Sequence, residues 1–263
     1  MNFSTSSELS DRKKNEALSR AISMFEPISL AQMDGVKLMD RTDTKFAFKF
    51  EKLPGFLEQI MNYYCVLEVA NTRVNRYNTL YFDTDDFQLY LKHQNGKLNR
   101  HKIRFRRYVE SGLNFFEIKF KNNKGRTIKN RIKRDDAKFK IDRHERRFIR
   151  EKTSLDPDSL KPKLWVNYSR ITLVNKSSRE RLTLDTNLNF KNDIADRNFN
   201  DLVIAEVKQE KSSPSPFIRL MREHHIKDGF ISKYCFGVIS LHESIKKNNF
   251  KPKLLCLNKL IYR

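Results

Sequence analysis

Over residues 103–133, large apolar side chains alternate with charged ones. The segments are Ile103-Arg104-Phe105-Arg106, Phe116-Glu117-Ile118-Lys119-Phe120 and Ile128-Lys129-Asn130-Arg131-Ile132-Lys133. Side chains on a strand point to opposite faces with period two, so each segment predicts a strand with one apolar and one charged face. Further strands of this kind put Arg179, Arg181, Thr183 and Asp185 opposite Leu182 and Leu184. Glu206 and Lys208 lie opposite Val203, Ala205 and Val207. Such strands form either an ordinary sheet with its polar side in water or a barrel whose polar side is the lumen. Like charges on neighbouring strands repel by about 1 kcal/mol per close pair even in water, so a repeated pattern of them implies an anion that offsets the cost.

The overall charge agrees. The 263 residues carry 53 Lys or Arg and 32 Asp or Glu, a net charge of +21. Residues 92–150 hold 21 basic and 6 acidic residues, 21 − 6 = +15 of that total. With 20 Phe and 9 Tyr the chain has apolar material for a folded core. The three cysteines, Cys65, Cys235 and Cys256, have no short spacing that implies a disulfide framework or a zinc site. No apolar run approaches the roughly 18 residues of a membrane span, and Met1 to Ser10 lacks a signal-peptide core, which leads to the expectation of a soluble cytoplasmic protein.

Other elements follow from local signals. Lys45 to Phe50, Tyr77 to Phe82 and Trp165 to Ile171 read as strands. Pro54 opens a helix, Asp83-Thr84-Asp85-Asp86 caps a second, and Pro216 starts a third. Asn122 to Gly125 is a hairpin turn, Leu155 to Lys163 a loop, and Val238 to Ile245 a last apolar helix. Residues 1–24 read as an N-terminal arm or helix, 25–250 as one α+β domain, and 251–263 as a basic tail for which strand, helix and disorder all stay open.

There is no Walker A loop, dinucleotide glycine fingerprint, H-E-x-x-H or G-x-S-x-G, and the six histidines lack metal-ligand spacing. Any catalytic equipment is therefore Lys, Arg and a few carboxylates, a set suited to phosphoryl transfer, where positioning and charge neutralisation dominate. Nucleic-acid binding is disfavoured because Phe105, Phe116 and Phe120 alternate onto the face away from the cations and cannot stack bases among them.

Several motifs carry a family resemblance. Arg41-Thr-Asp43-Thr-Lys45-Phe46, Tyr81-Phe82-Asp83-Thr84, Lys102-Ile-Arg104-Phe-Arg106-Arg-Tyr108 and Phe116-Glu117-Ile-Lys119 come first. Tyr168-Ser-Arg170, Arg181-Leu-Thr-Leu-Asp185, Glu206-Val-Lys208 and Ser232-Lys233-Tyr234 follow in order. From Asp40 to Gly237 the chain resembles the VTC domain of vacuolar transporter chaperone polyphosphate polymerases, in the triphosphate tunnel metalloenzyme (CYTH-like) superfamily. The resemblance implies a closed antiparallel β-barrel of about eight strands, helices packed outside, with a basic lumen. It also implies transfer of the γ-phosphate of ATP onto inorganic polyphosphate, with Mn²⁺ or Mg²⁺.

Carried over by position, Lys45, Arg104, Arg106, Lys119, Lys129, Arg170 and Lys233 match the catalytic basic residues, and Glu206 the metal-binding glutamate. Glu117 and Asp185 are further metal candidates, and Arg131, Lys133, Arg181 and Lys208 further substrate contacts. Arg131 and Lys133 share the face of Lys129 and could replace it. Hydrolytic superfamily members begin with E-x-E-x-K; Arg41-x-Asp43-x-Lys45 is closer to the polymerase pattern and keeps one carboxylate. Alternatives are a metal-dependent tripolyphosphate or nucleoside-triphosphate hydrolase and a non-catalytic polyphosphate-binding module. Translocation of product would require a separate membrane partner.

Overall fold

The computed structural model describes residues 4–34, 41–135, 139–210, 214–229 and 232–262. In chain order the elements are α1 (Ser4–Ser23), β1 (Pro27–Ile28), α2 (Leu30–Asp34), β2 (Arg41–Lys49), α3 (Leu53–Ile60), β3 (Tyr64–Leu67), β4 (Asn75–Asp83) and α4 (Gln88–Gln94). Then come β5 (Arg100–Tyr108), β6 (Asn114–Lys121), β7 (Thr127–Arg134), α5 (Arg143–Lys152), β8 (Lys161–Asn175), β9 (Glu180–Lys191), β10 (Asp196–Phe199) and β11 (Leu202–Glu210). The helices α6 (Pro216–Glu223), α7 (Lys233–Leu241) and α8 (Lys251–Tyr262) end the chain. Asp40, Ser212, Ser213 and the side chain of Arg41 lie outside the described residues.

Eight strands form one antiparallel sheet in the order β2-β11-β9-β8-β4-β5-β6-β7. The short strands sit off this path, β1 parallel to β3, β3 on β8, and β10 on β9. The antiparallel sheet and its helices are as expected, but the barrel is not closed by hydrogen bonds. Among the described residues no ladder joins β2 to β7. The free edge of β2 is taken instead by the α6–α7 connection: Phe46 bridges Asp228, and the Gly229 N–H donates to the Lys45 carbonyl at 2.9 Å.

Alternation then sorts the side chains. Phe46, Phe48, Ile171, Leu173, Leu182, Leu184, Val203, Ala205 and Val207 form the outer face on one side, packed beneath α1, α3 and α6. Leu80, Phe82, Ile103, Phe105, Phe116 and Ile118 do the same on the other, beneath Leu89 of α4 and Phe148 and Ile149 of α5. Local caps hold these helices. The Asp142 carboxylate accepts from the His144 N–H at 3.0 Å while Glu145 accepts from the Asp142 N–H at 3.2 Å, a reciprocal box that starts α5. Ser215 accepts from the Ile218 N–H at 3.1 Å to start α6.

One irregularity decides the shape of the interior. Asn167 of β8 opposes Asn189, but Ser169 opposes Thr186, so two steps on β8 match three on β9. Asn187, at φ 51°, takes up the extra residue. The bulge reverses the alternation on β9, so Asp185 before it and Leu188 and Phe190 after it all face inward. The inner face is consequently charged at one end and apolar at the other.

Helix α7 packs against that apolar end. Tyr234 stacks on Tyr81 with centroids 4.8 Å apart, and Phe236 meets Phe190 edge-on at 5.2 Å. A Cβ at Gly237 would stand 2.6 Å from Leu164 Cδ2, which is why glycine occupies that turn. The expectation that helices lie outside therefore holds for α1, α3, α5 and α6 but not for α7. The last apolar helix also begins earlier than the expected Val238, because the Ser232 hydroxyl caps it by accepting from the Cys235 N–H at 3.2 Å. Strand β8 starts at Lys161, inside the expected loop, and the basic tail is the helix α8.

Candidate functional site

The charged half of the inner face carries two walls built on carboxylates. On β5, β6 and β7 the centre is Glu117, which is 0% exposed. Arg104, directly opposite on β5, reaches Glu117 Oε2 through Nε at 2.7 Å and Nη2 at 2.6 Å, and Lys129 of β7 is ion-paired with Oε1. Arg106 Nη1 stands 4.0 Å from the same carboxylate. Arg104 Nη1 also donates to the Tyr81 hydroxyl at 2.9 Å, and Arg106 Nε to Thr79 Oγ1 at 3.3 Å. Burial alone would raise the Glu117 pKa, but Arg104, Arg106 and Lys129 hold it well below the usual carboxylate range.

On β8, β9 and β11 the centres are Asp185 and Glu206. Arg170 grips Asp185 with two parallel bonds, Nε–Oδ1 at 2.6 Å and Nη2–Oδ2 at 2.8 Å, and Lys233 pairs with Oδ2. Glu206 Oε1 receives Lys45 Nζ at 3.2 Å and Lys208 Nζ at 3.6 Å. Its pKa is pushed up by burial but brought below the usual range by Lys208, Lys45, Arg170 and Lys233.

On the Glu117 wall some cations have no carboxylate. Lys102, Lys119 and Lys129 are directly opposite one another on β5, β6 and β7, a row of three like charges. Lys129 has Glu117, but among the described residues neither Lys102 nor Lys119 makes an ion pair. Burial, and then the charges of Arg104, Lys208 and Lys102, pull the Lys119 ammonium down to about 7, with Glu206 opposing. Lys208 and Glu206 belong to β11, so the two walls act on each other across a shared bore.

Aromatic rings lie where the charged and apolar parts of the inner face meet. Tyr77 and Tyr168 stack at 5.1 Å. Arg106 and Arg170 lie 5.6 and 5.0 Å from the Tyr77 centroid, and Arg170 and Lys233 lie 5.1 and 4.9 Å from that of Tyr168. Tyr77, Tyr81 and Tyr168 pack in one cluster with Tyr234 and Phe236 of α7.

Lys45, Arg104, Arg106, Lys119, Lys129, Arg170, Glu117, Asp185, Glu206 and Lys208 thus share the inner face, where Lys233 joins them from α7. Arg181 is directly opposite Lys208 in the ladder. Arg131 and Lys133 share the face of Lys129 on β7, where all three are exposed; Arg131 lies 4.4 Å over the Phe115 ring, and only Lys129 pairs with Glu117. Sequence reasoning did not single out Lys102, although it stands two residues before Arg104 on the same face. Nor did it single out Tyr81, whose hydroxyl accepts from Arg104 while its ring packs on Tyr234.

Among the described residues no three His, Cys, Asp or Glu side chains gather as a metal site. The donor chemistry still discriminates between the candidates. Glu117 and Asp185 have both oxygens engaged by cations. Glu206 is held more loosely, its Oε1 standing 3.2 Å from Lys45 Nζ and 3.6 Å from Lys208 Nζ. Magnesium-type ions commonly use one or two protein carboxylates and complete their shell with water and substrate phosphate, so Glu206 fits such an ion best.

The fold resembles several solved structures at low identity. A candidate adenylate cyclase from Bacillus halodurans is 16% identical over 74% of this chain and 96% of its own, with a TM-score of 0.48. A candidate adenylyl cyclase from Hippeastrum with a dominant triphosphatase activity is 12% identical over 78% and 97%, at 0.46. A Pyrococcus horikoshii protein is 11% identical over 74% and 97%, at 0.43. No curated protein matches the chain. The family model of the VTC domain matches residues 40–242, the stretch that holds every inner-face cation described above. The chain therefore belongs to the VTC domain family.

Proposed function

We propose that this protein is a polyphosphate polymerase that transfers the γ-phosphoryl group of ATP to the end of an inorganic polyphosphate chain. Membership of the VTC family and the cationic bore support the broader class, an enzyme that handles triphosphates. The observation that carries the reading is the row Lys102–Lys119–Lys129. Like charges at directly opposite positions cost stability unless an anion with several charges sits among them.

Arg104, Arg106 and Arg170 are already oriented by Glu117, Thr79 and Asp185, so their remaining N–H groups can hold phosphate oxygens without reorganising. The terminal phosphate oxygen of the acceptor forms the new P–O bond as the bond to ADP breaks, and ADP leaves. The acceptor oxygen is already anionic, so the step needs charge neutralisation rather than a strong base. Lys119 and Lys102 face the charge on the transferred group. Glu206 would hold Mn²⁺ or Mg²⁺, which when bound neutralises phosphate charge and orients the oxygens.

Among the described residues no helix is long and apolar enough to cross a membrane. We place the reaction in the cytoplasm, with ATP and polyphosphate as partners and any translocation left to a separate membrane protein. The test is incubation with ATP and Mn²⁺ followed by gel analysis. Long phosphate chains support the polymerase. Orthophosphate alone means a hydrolase, and binding without turnover means a polyphosphate-binding module.

A further inference from the structure

The sheet ends at β7. That strand pairs with β6 along one edge in unbroken register, from Thr127 opposite Lys121 to Arg134 opposite Asn114, and among the described residues its other edge carries no ladder. It contains no proline, and its register with β6 shows no bulge, so two of the devices that commonly blunt an edge strand are missing. Thr127, Ile128, Lys129, Arg131 and Lys133 are exposed, Ile128 to 47%. Every second residue of such a strand turns its N–H and C=O to the free edge, which therefore offers both donors and acceptors. Lys129, Arg131 and Lys133 stand on one face, and Ile128, Asn130 and Ile132 on the other. Lys129 pairs with Glu117, but among the described residues neither Arg131 nor Lys133 makes an ion pair.

We infer that the free edge of β7 docks an extended acidic segment of a partner protein, which adds to the sheet as a further antiparallel strand with a carboxylate at every second residue. Side chains on one face of a strand recur about every 7 Å, so a paired strand presents its own alternate residues at the spacing of Lys129, Arg131 and Lys133. Opposite charges at such paired positions attract and like charges repel. A symmetric pair of copies would join their β7 edges antiparallel and set Lys and Arg against Lys and Arg, so the edge turns away its own kind. Inorganic polyphosphate would meet the same cations, but it only accepts hydrogen bonds and leaves the C=O groups of the edge without a donor. A polypeptide supplies donors and acceptors together, and its other face covers Ile128. The inference does not depend on phosphoryl transfer in the bore.

The probe is a short peptide of alternating glutamate and valine, whose affinity for the full chain is measured by calorimetry at fixed ionic strength. Two further peptides of the same charge are methylated on nitrogen, one at every glutamate and the other at every valine. Alternate N–H groups of a strand point to the same edge, so one methylated peptide should bind about tenfold or more weaker while the other keeps the parent affinity. Arg131→Ala with Lys133→Ala should weaken the parent peptide about fivefold. Arg147→Ala with Arg150→Ala, which removes two exposed charges from α5, should leave its affinity unchanged. In the complex, hydrogen exchange should slow at alternate amides between Thr127 and Lys133. Absence of binding overturns the proposal, as does any methylation pattern other than loss in one series alone. Equal weakening by the two double variants means bulk attraction and overturns it too. Protection of those amides by polyphosphate but not by the peptide assigns the edge to the anion, and their protection in a dimer of the free protein assigns it to a second copy; either result overturns the acidic partner.

Discussion

Lys233, the first residue of α7, is ion-paired with Asp185 of β9, which is only 1% exposed and also holds Arg170. The helix that packs on the apolar end is thus fastened to the wall of the charged half by one carboxylate. Asp185→Asn would leave Arg170 and Lys233 without a counter-charge. Removing one partner of a buried ion pair typically costs about 3–5 kcal/mol, so urea unfolding of the empty variant should show a loss of that order. Saturating tripolyphosphate should recover more stability in the variant than in the parent protein.

Arg104 and Arg147 offer a matched pair of single-charge deletions. Arg104 sits between Glu117 and Tyr81 in the bore, whereas Arg147 on α5 has a side chain 81% exposed and pairs with Glu151. Loss of one preorganised donor to a developing charge typically costs about 10²–10³ in rate, and Arg104→Ala should lose at least that in phosphoryl transfer. Arg147→Ala should keep parental activity and a stability within about 0.5 kcal/mol. Equal losses would mean that the charge acts only in bulk.

Lys119 predicts opposite pH trends for stability and for binding. Burial and neighbouring cations take it from the ordinary lysine value of 10.5 to about 7 in the folded chain. Between those values the unfolded chain holds a proton that the folded chain lacks, so stability of the empty protein rises with pH across that window and is unaffected by Lys119 below it. Lys102, Lys208 and Lys233, also lowered first by burial, act in the same direction. Tripolyphosphate affinity should fall over the same interval as the ammonium is lost. Lys119→Met should flatten both trends, read by Tm and Kd from pH 6 to 9.

At Gly237 the added methyl of alanine would stand 2.6 Å from Leu164 Cδ2 and 2.7 Å from Phe190 Cδ1. Overpacking of this kind typically costs about 1–3 kcal/mol, and Gly237→Ala should lose that much in denaturant unfolding. Paired with Leu164→Ala, part of the loss should return, because the smaller neighbour makes room.

The walls were legible in the sequence because strands β5, β6, β7 and β11 keep strict alternation, which a single pass along the chain can read. The apolar end was not. Asn187 inserts one residue into β9, and nothing in Thr186-Asn187-Leu188 announces that parity reverses there. Alternation continued unbroken from Leu182 and Leu184 would turn Leu188 and Phe190 outward. Helix α7 is apolar on every side from Tyr234 to Ile239, a pattern that says buried without saying where. Helix α5 was missed inside the basic block although Asp142-x-x-Glu145 is a recognisable start signal. The metal-candidate carboxylates showed their positions but not their partners, since ion pairing across strands depends on register.

The gap between β2 and β7 bears on the order in which the molecule assembles. All eight wall strands are complete by Glu210, yet the helix that belongs among them starts at Lys233. The apolar inner surface of β8, β9 and β11 is covered by residues that follow Glu210 in sequence, the helix α7 together with Phe250 and Leu257. Asp228 and Gly229, which precede that helix in sequence, take the edge of β2 that a closed ladder would have used.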